Sequence, residues 1–244
     1  MASTNTLERT IRLTQRFVRN APLTFTNEGD PAFSGADWVR QFILSPPFAW
    51  RWNRGTISPV ITCAPGKQDY VVNIPNFGWI ERAVLNLPNV VGQPVTGAVE
   101  LEVKTDIGFE TTPNQPTQIS AVVDDNNGNI TLRLSPPPDQ AYTVNVLCQR
   151  SAPTFTSTQD TWAPIPDYLS YLYNLGMRAW AYEYLGDERF PFALQMFLRQ
   201  VVAANDGMTE TQKNLFLQHT IIAQMDQQGS ANMGQIGRAG RVGA

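Results

Sequence analysis

Side chains able to do covalent or metal chemistry are few and scattered in this 244-residue chain: one histidine, His219, and two cysteines, Cys63 and Cys148. His219 falls inside a helical pattern between Gln218 and Thr220. No GxSxG elbow occurs, so a Ser–His or Cys–His couple has no motif to build on. The two cysteines lack CxxC spacing, and with a single histidine they are too few for a four-ligand zinc site. Each falls in a strand-like segment, which points to buried free thiols, with a disulfide as the alternative. Gly234, Gly237 and Gly240 read GxxGxxG with no strand before them, and there is no GxxxxGK[ST] loop. Asp124 and Asp125 before Asn126-Asn127-Gly128 open like a calcium loop. The acid that should close an EF-hand loop is missing, and a hairpin turn accounts for all five residues. Any two of the 21 acids could meet as a glycosidase pair, but none is marked out. The expectation is a protein without cofactor, metal or catalytic residues.

Two basic features stand out instead. Arg9, Arg12, Arg16 and Arg19 recur three or four apart, which makes a stripe along one helix face. Such a stripe suits an acidic partner or a phosphate backbone, or it is simply a solvated face. The second feature is the end of the chain, QGSANMGQIGRAGRVGA, whose composition cannot drive folding alone. Its Gln235, Ile236, Arg238, Arg241 and Val242 either insert into a groove on a partner or belong to an unstructured end. The whole chain carries a formal charge of −3, which argues against a dedicated nucleic-acid binder. Its charged fraction is only 16%, against about 25% in ordinary globular proteins. A polar but weakly charged surface loses little on association, because few charges must be desolvated. No apolar run approaches the roughly 20 residues of a membrane span, and MASTNTLERT contains no secretory h-region.

The elements that must carry these features change period twice. Helical periodicity runs through 1–45 and 166–228, and short alternating strands fill 56–150. Asn5 with Glu8 reads as a capping box, opening a helix whose inner face is Leu7, Ile11, Thr14 and Val18. A second helix is expected from Ser34, showing Trp38, Val39, Phe42 and Ile43 before Pro46-Pro47 stop it. Phe48, Trp50 and Trp52 then alternate, so an extended segment places them on one face as a seam between strands and helices. Strands are predicted at 56–64, 68–74, 78–87, 97–104, 117–124, 129–135 and 141–150. Hairpin-type turns fall at Pro65-Gly66-Lys67 and Asn126-Asn127-Gly128. Pro166 and Asp167 open a helix with the inner face Leu169, Leu172, Leu175, Ala179 and Trp180, ringed by tyrosines. Residues 188–204 give the strongest helical period, and Thr209 with Gln212 caps one more helix. The fold class is therefore α+β: an antiparallel β-sandwich or small barrel at 48–152, between an N-terminal helical segment (1–47) and a C-terminal helical bundle (153–228), followed by a flexible arm (229–244).

The run FAWRWNRGTISPV, the strand opening GKQDYVV and then FGWIERAVL resemble the β-domain opening of head-to-tail adaptor proteins of tailed bacteriophages, including the tail-tubular gatekeeper type. PPPDQAYTVNVLCQRSAP and WAPIPDYLSYLYNLGMRAWAYEYLGDERF extend the likeness, in order and spacing, over residues 34–205. The resemblance implies a structural virion protein of the head–tail junction, made in the host cytoplasm and free of membrane. It implies a ring, usually of twelve copies, beneath the portal protein, lining part of the channel through which genomic DNA passes. Its partners are then the portal protein, a tail, nozzle or neck protein, and other copies of itself, with the C-terminal arm reaching into portal clefts. A different class, a carbohydrate-binding β-sandwich with Trp50, Trp52 or Trp79 stacking on sugars, explains neither the flanking helices nor the arm. A cell-wall hydrolase lacks nucleophile and metal patterns.

Overall fold

The computed structural model describes residues 3–18, 30–56, 61–87, 97–124 and 128–219. Helices α1 (Leu7–Phe17) and α2 (Pro31–Leu44) come first, then a 3-10 turn at Arg51–Asn53. Eight strands follow: β1 (Arg54–Thr56), β2 (Ile61–Thr62), β3 (Asp69–Asn73), β4 (Phe77–Asn86), β5 (Ala98–Val103), β6 (Gln118–Asp124), β7 (Asn129–Ser135) and β8 (Thr143–Arg150). A 3-10 turn at Asp167–Leu169 leads into α3 (Ser170–Tyr184) and α4 (Phe190–Ala204), and α5 spans 210–219. The chain divides into two compact units. One takes the residues up to Ile43 and those from Thr154 on, and the other is Leu44–Pro153.

In the β unit the strands form one connected sheet in the order β1-β8-β4-β5-β6-β7-β3, with β2 also on β8. The α+β class expected from the sequence holds, but the sheet is mixed: β5 and β6 run parallel, and every other pair is antiparallel. Among the described residues all eight strands join this one sheet. A single buried cluster draws Ile61 and Tyr70 from the two ends of the strand order together with Leu85, Ile119, Leu132, Val144 and Cys148, so the sheet curls around its own core. Register shifts in β4 against β8 and in β6 against β7 supply local bends for that curl. The alternation of Ile130, Leu132 and Leu134, and of Tyr142, Val144, Val146 and Cys148, is the inward face, all of it buried.

Two local expectations need correction. In place of one strand at 56–64, the described residues hold β1, ending at Thr56, and β2 at Ile61–Thr62, both paired with β8, and residues 57–60 lie outside the described residues. The turn at Pro65-Gly66-Lys67 exists, with Gly66 at φ 73° and the Lys67 N–H donated to the Ala64 carbonyl at 3.1 Å. It is not a hairpin, because β2 bonds to β8 and β3 bonds to β7. β6 and β7 do pair antiparallel, with Gly128 at φ 84°, although residues 125–127 lie outside the described residues.

In the helical unit, α1 buries Leu7, Ile11, Thr14 and Val18 as its period requires. Its N-cap is Thr6, whose hydroxyl accepts the Arg9 N–H, and not Asn5. α2 begins at Pro31 rather than Ser34, in keeping with proline's preference for a first helical turn. Two glycines mark close approaches in the unit: a Cβ at Gly35 would sit 2.1 Å from Trp180 Cδ1, and one at Gly176 of α3 would sit 2.6 Å from Val39 Cγ1 and 3.1 Å from Phe197 Cε2. Trp38, Phe42, Trp180 and Phe197 pack as an aromatic group with ring centroids 5.4–6.1 Å apart. Tyr173, expected at the rim of α3, is buried and stacks on Trp162 at 4.3 Å with the rings 4° from parallel. The Thr209–Gln212 capping box before α5 forms as its sequence predicts.

Candidate partner-binding surface

The arginine stripe sits on α1, and α1 is set by the segment returning from the β unit. Its first orphan N–H groups find carbonyls there: Leu7 donates to Asp160 and Glu8 to Thr158, both at 2.9 Å. Just ahead of it the Asp167 carboxylate collects the Ser3 hydroxyl (2.7 Å), the Thr4 N–H (3.0 Å) and hydroxyl (2.6 Å), and the Asn5 amide (2.8 Å). The Thr4 and Ser3 hydroxyls, then the Thr4 N–H, hold that carboxyl well below the usual aspartate range. The Trp162 indole reaches Thr10 Oγ1 at 2.9 Å, so the helix is fixed along its first two turns.

From that frame Arg9, Arg12 and Arg16 all project into solvent. The stripe is not a row of bare cations. Arg12 forms an ion pair with Glu8 one turn back, at 2.5 and 3.0 Å, and Arg9 donates to Asn5 Oδ1 at 2.9 Å. The Arg12 guanidinium, with Gln159, in turn lowers the Glu8 pKa. Arg19 lies outside the described residues, as do Gln235, Ile236, Arg238, Arg241 and Val242 of the arm.

Phe48, Trp50 and Trp52 belong to the β unit, where Phe48 and Trp50 are 1% exposed. The alternation expected for an extended segment fails at Arg51–Asn53, which coils into the 3-10 turn and brings the Trp50 and Trp52 rings to 5.4 Å. Gln149, buried on β8, fixes this turn-back through Trp50: its Oε1 accepts the Trp50 N–H at 3.2 Å and its Nε2 donates to the Trp50 carbonyl at 3.1 Å. The same Nε2 reaches Glu81 Oε2 at 2.6 Å, and Glu81 pairs with Arg54. The Trp79 indole donates to the Leu44 carbonyl at 3.2 Å. Trp50 is enclosed, and Trp52 and Trp79 are half-buried. The carbohydrate-binding alternative therefore loses Trp50 as a stacking ring.

Side chains that are open were not singled out by spacing. Tyr168, Phe192 and Phe109 are 70%, 68% and 74% exposed, and Val71 is 70% exposed. Tyr171, Tyr184, Leu185 and Met196 add to the exposed apolar surface of the helical unit. Single exposed apolar side chains are ordinary on a protein surface, and it is a contiguous patch of them that marks a surface meeting other chains. A sequence signal existed for Phe192 and Met196, one turn apart on α4 and off its buried face. Nothing local in the sequence marked Phe109.

Among the described residues no group of three or more His, Cys, Asp or Glu is placed to hold a metal, and His219 lies exposed in α5. Cys63 and Cys148 are free and buried, and burial pushes Cys63 up to about 11. No helix is long and apolar enough to cross a membrane among those residues.

The SU10 adaptor protein family model matches residues 12–221, and the chain belongs to that family of phage head-to-tail adaptors. The match supports a structural adaptor role at the virion head–tail junction. No curated protein matches the chain.

Proposed function

We propose that this protein is a structural ring subunit seated beneath the portal, joining capsid to tail and lining part of the DNA exit channel. The ring has twelve copies in this reading. The helical unit and residues 228–244 bind the portal protein. The β unit faces a tail, nozzle or neck protein and neighbouring copies, and Phe48, Trp50 and Trp52 keep their seam role. The observation that carries this is the family match across 12–221, joined to the exposed aromatics of the helical unit. Arg9, Arg12, Arg16 and Arg19 meet the portal or passing DNA.

Removing residues 229–244 is expected to impair attachment to portal-bearing heads while the body stays folded. Normal attachment by the truncated protein counts against the arm's role. Mass measurement of the full chain alone and with a purified portal ring tests the copy number. Single copies in both conditions would overturn the ring.

A further inference from the structure

Three arginines among the described residues are not exposed: Arg40, Arg133 and Arg178. Arg40 lies against Asp37 on its own helix, and Arg133 lies against Asp69 across the β7–β3 pair. Arg178, on α3, has no carboxylate beside it among the described residues. Burial lowers its pKa, and the group that offsets this is the Tyr182 phenol. A cation drawn into a surface without a counter-charge is costly, and an incoming anion relieves that cost.

What holds Arg178 is aromatic. Its guanidinium lies over the Phe17 ring, 3.4 Å from the centre, where α1 and α3 pack together. Phe17 is 56% exposed, so this stack sits at the surface. One turn further along α3, Tyr182 carries the Arg189 guanidinium 4.6 Å from its ring centre, and Arg189 is held in turn by Asp187. Arg16, next to Phe17 on α1, is exposed and has no carboxylate partner among the described residues. Tyr171 and Leu175 continue the side of α3 that bears Arg178 and Tyr182, spaced three or four apart, and none of the four is buried. A ring beneath a guanidinium fixes its plane and leaves its N–H edge free to take both oxygens of a carboxylate. Little ordering entropy is then lost on binding.

The neighbouring charges favour a carboxylate over a phosphate backbone. Duplex DNA carries one charge per about 1.7 Å of axis, so it would meet every charge on this face at once. Arg12 is already neutralised by Glu8 and Arg189 by Asp187, and Glu183 and Glu188 stand exposed just after Tyr182. A long polyanion finds Arg16 and Arg178 open among acids that repel it. A single acidic side chain, with apolar neighbours to cover Phe17 and Tyr171, fits the site. We infer that Arg178, held over Phe17 with Arg16 beside it, takes a carboxylate from a partner protein that covers the α1–α3 face of the helical unit. This inference rests on the reading that the helical unit binds the portal, and it adds the chemistry of that contact.

The test measures attachment of the full chain to portal-bearing heads. Arg178→Gln is expected to weaken attachment about tenfold or more and to flatten its salt dependence, with an unchanged melting temperature. Should that variant melt lower, Arg16→Gln carries the test, because an exposed side chain leaves the core untouched. It is expected to weaken attachment about threefold or more. A short DNA duplex is expected neither to bind through Arg178 nor to compete with the heads. Undiminished attachment of folded Arg178→Gln, or of Arg16→Gln in the second case, overturns the inference. So does a duplex that binds wild type and loses that binding in Arg178→Gln, since the ligand is then a phosphate. If wild type attaches and the variants attach equally well, this contact alone falls. If wild type does not attach, the adaptor reading falls and takes the contact with it.

Discussion

Gly176→Ala puts the packing of the helical unit to a sharp test. At an ordinary helical site the exchange stabilises by about 1 kcal/mol, because alanine is the better helix former. Here the new methyl would lie 2.6 and 2.8 Å from the two Val39 methyls and 3.1 Å from Phe197 Cε2. Val39 and Phe197 are both 0% exposed. A β-branched valine in a helix has essentially one rotamer, so Val39 cannot swing aside, and α2 must move back from α3. Overpacking of this kind costs about 1–3 kcal/mol. The upper end applies, since two contacts fall below any real Cβ distance. Net destabilisation is then about 1–2 kcal/mol, or a melting temperature lower by about 2–8 °C for a chain of this size. Calorimetry of the variant measures it, and a melting temperature at or above wild type would refute the reasoning. Adding Val39→Ala makes the cause specific. If the clash is the mechanism, the double variant is more stable than the two single losses summed, by about 1 kcal/mol.

Asp167→Asn is expected to loosen residues 3–5 and α1 without unfolding the chain, seen as faster amide exchange at Thr4 and Asn5; unchanged exchange would show that the carboxylate's charge is dispensable. The Asp167 pKa is depressed in the folded state, so its contribution is fully present above the unfolded value of about 3.9 and is lost as pH falls below it. Acid melting should therefore be shallower in Asp167→Asn, and parallel curves would contradict this. Cys63 and Cys148 should resist a thiol reagent at pH 8 until denaturant is added, since both are buried and burial raises both thiols; rapid native labelling would contradict their placement. Arg40 is buried, lies 3.6 Å from the Phe155 ring and 3.5 Å from Asp37, and burial pulls it down to about 10. Arg40→Ala should cost about 3 kcal/mol or more, since it strands Asp37 in a partly buried site and removes the packing on Phe155; a loss under about 1 kcal/mol would contradict that.

What the sequence settled is periodic and local. Leu7, Ile11, Thr14 and Val18 lie on one side of any helix drawn through them, and Tyr142, Val144, Val146 and Cys148 on one side of any strand. Both sets are buried for that reason alone. The Thr209–Gln212 box needs no neighbour beyond its own turn. The order of motifs from Phe48 to Phe190 carried the adaptor family, because order and spacing survive where no single residue is diagnostic.

Tertiary structure decided whatever depends on which distant segments meet. Alternation cannot distinguish one curled mixed sheet from two stacked ones, since either buries one side of each strand. The parallel β5–β6 pair and the placement of β2 on β8 are choices of partner, not of pattern. Gln149 reads as an exposed polar residue until residues 48–53 fold over it and use both ends of its amide. Asp167 reads as a helix-start acid until Ser3, Thr4 and Asn5 arrive from more than 160 positions away. Arg12 reads as a free cation until its own helix places Glu8 within reach. The roles of Gln149 and Asp167 are fixed by hydrogen-bond partners that no local window contains, whereas the Arg12–Glu8 pair lies within one helical turn.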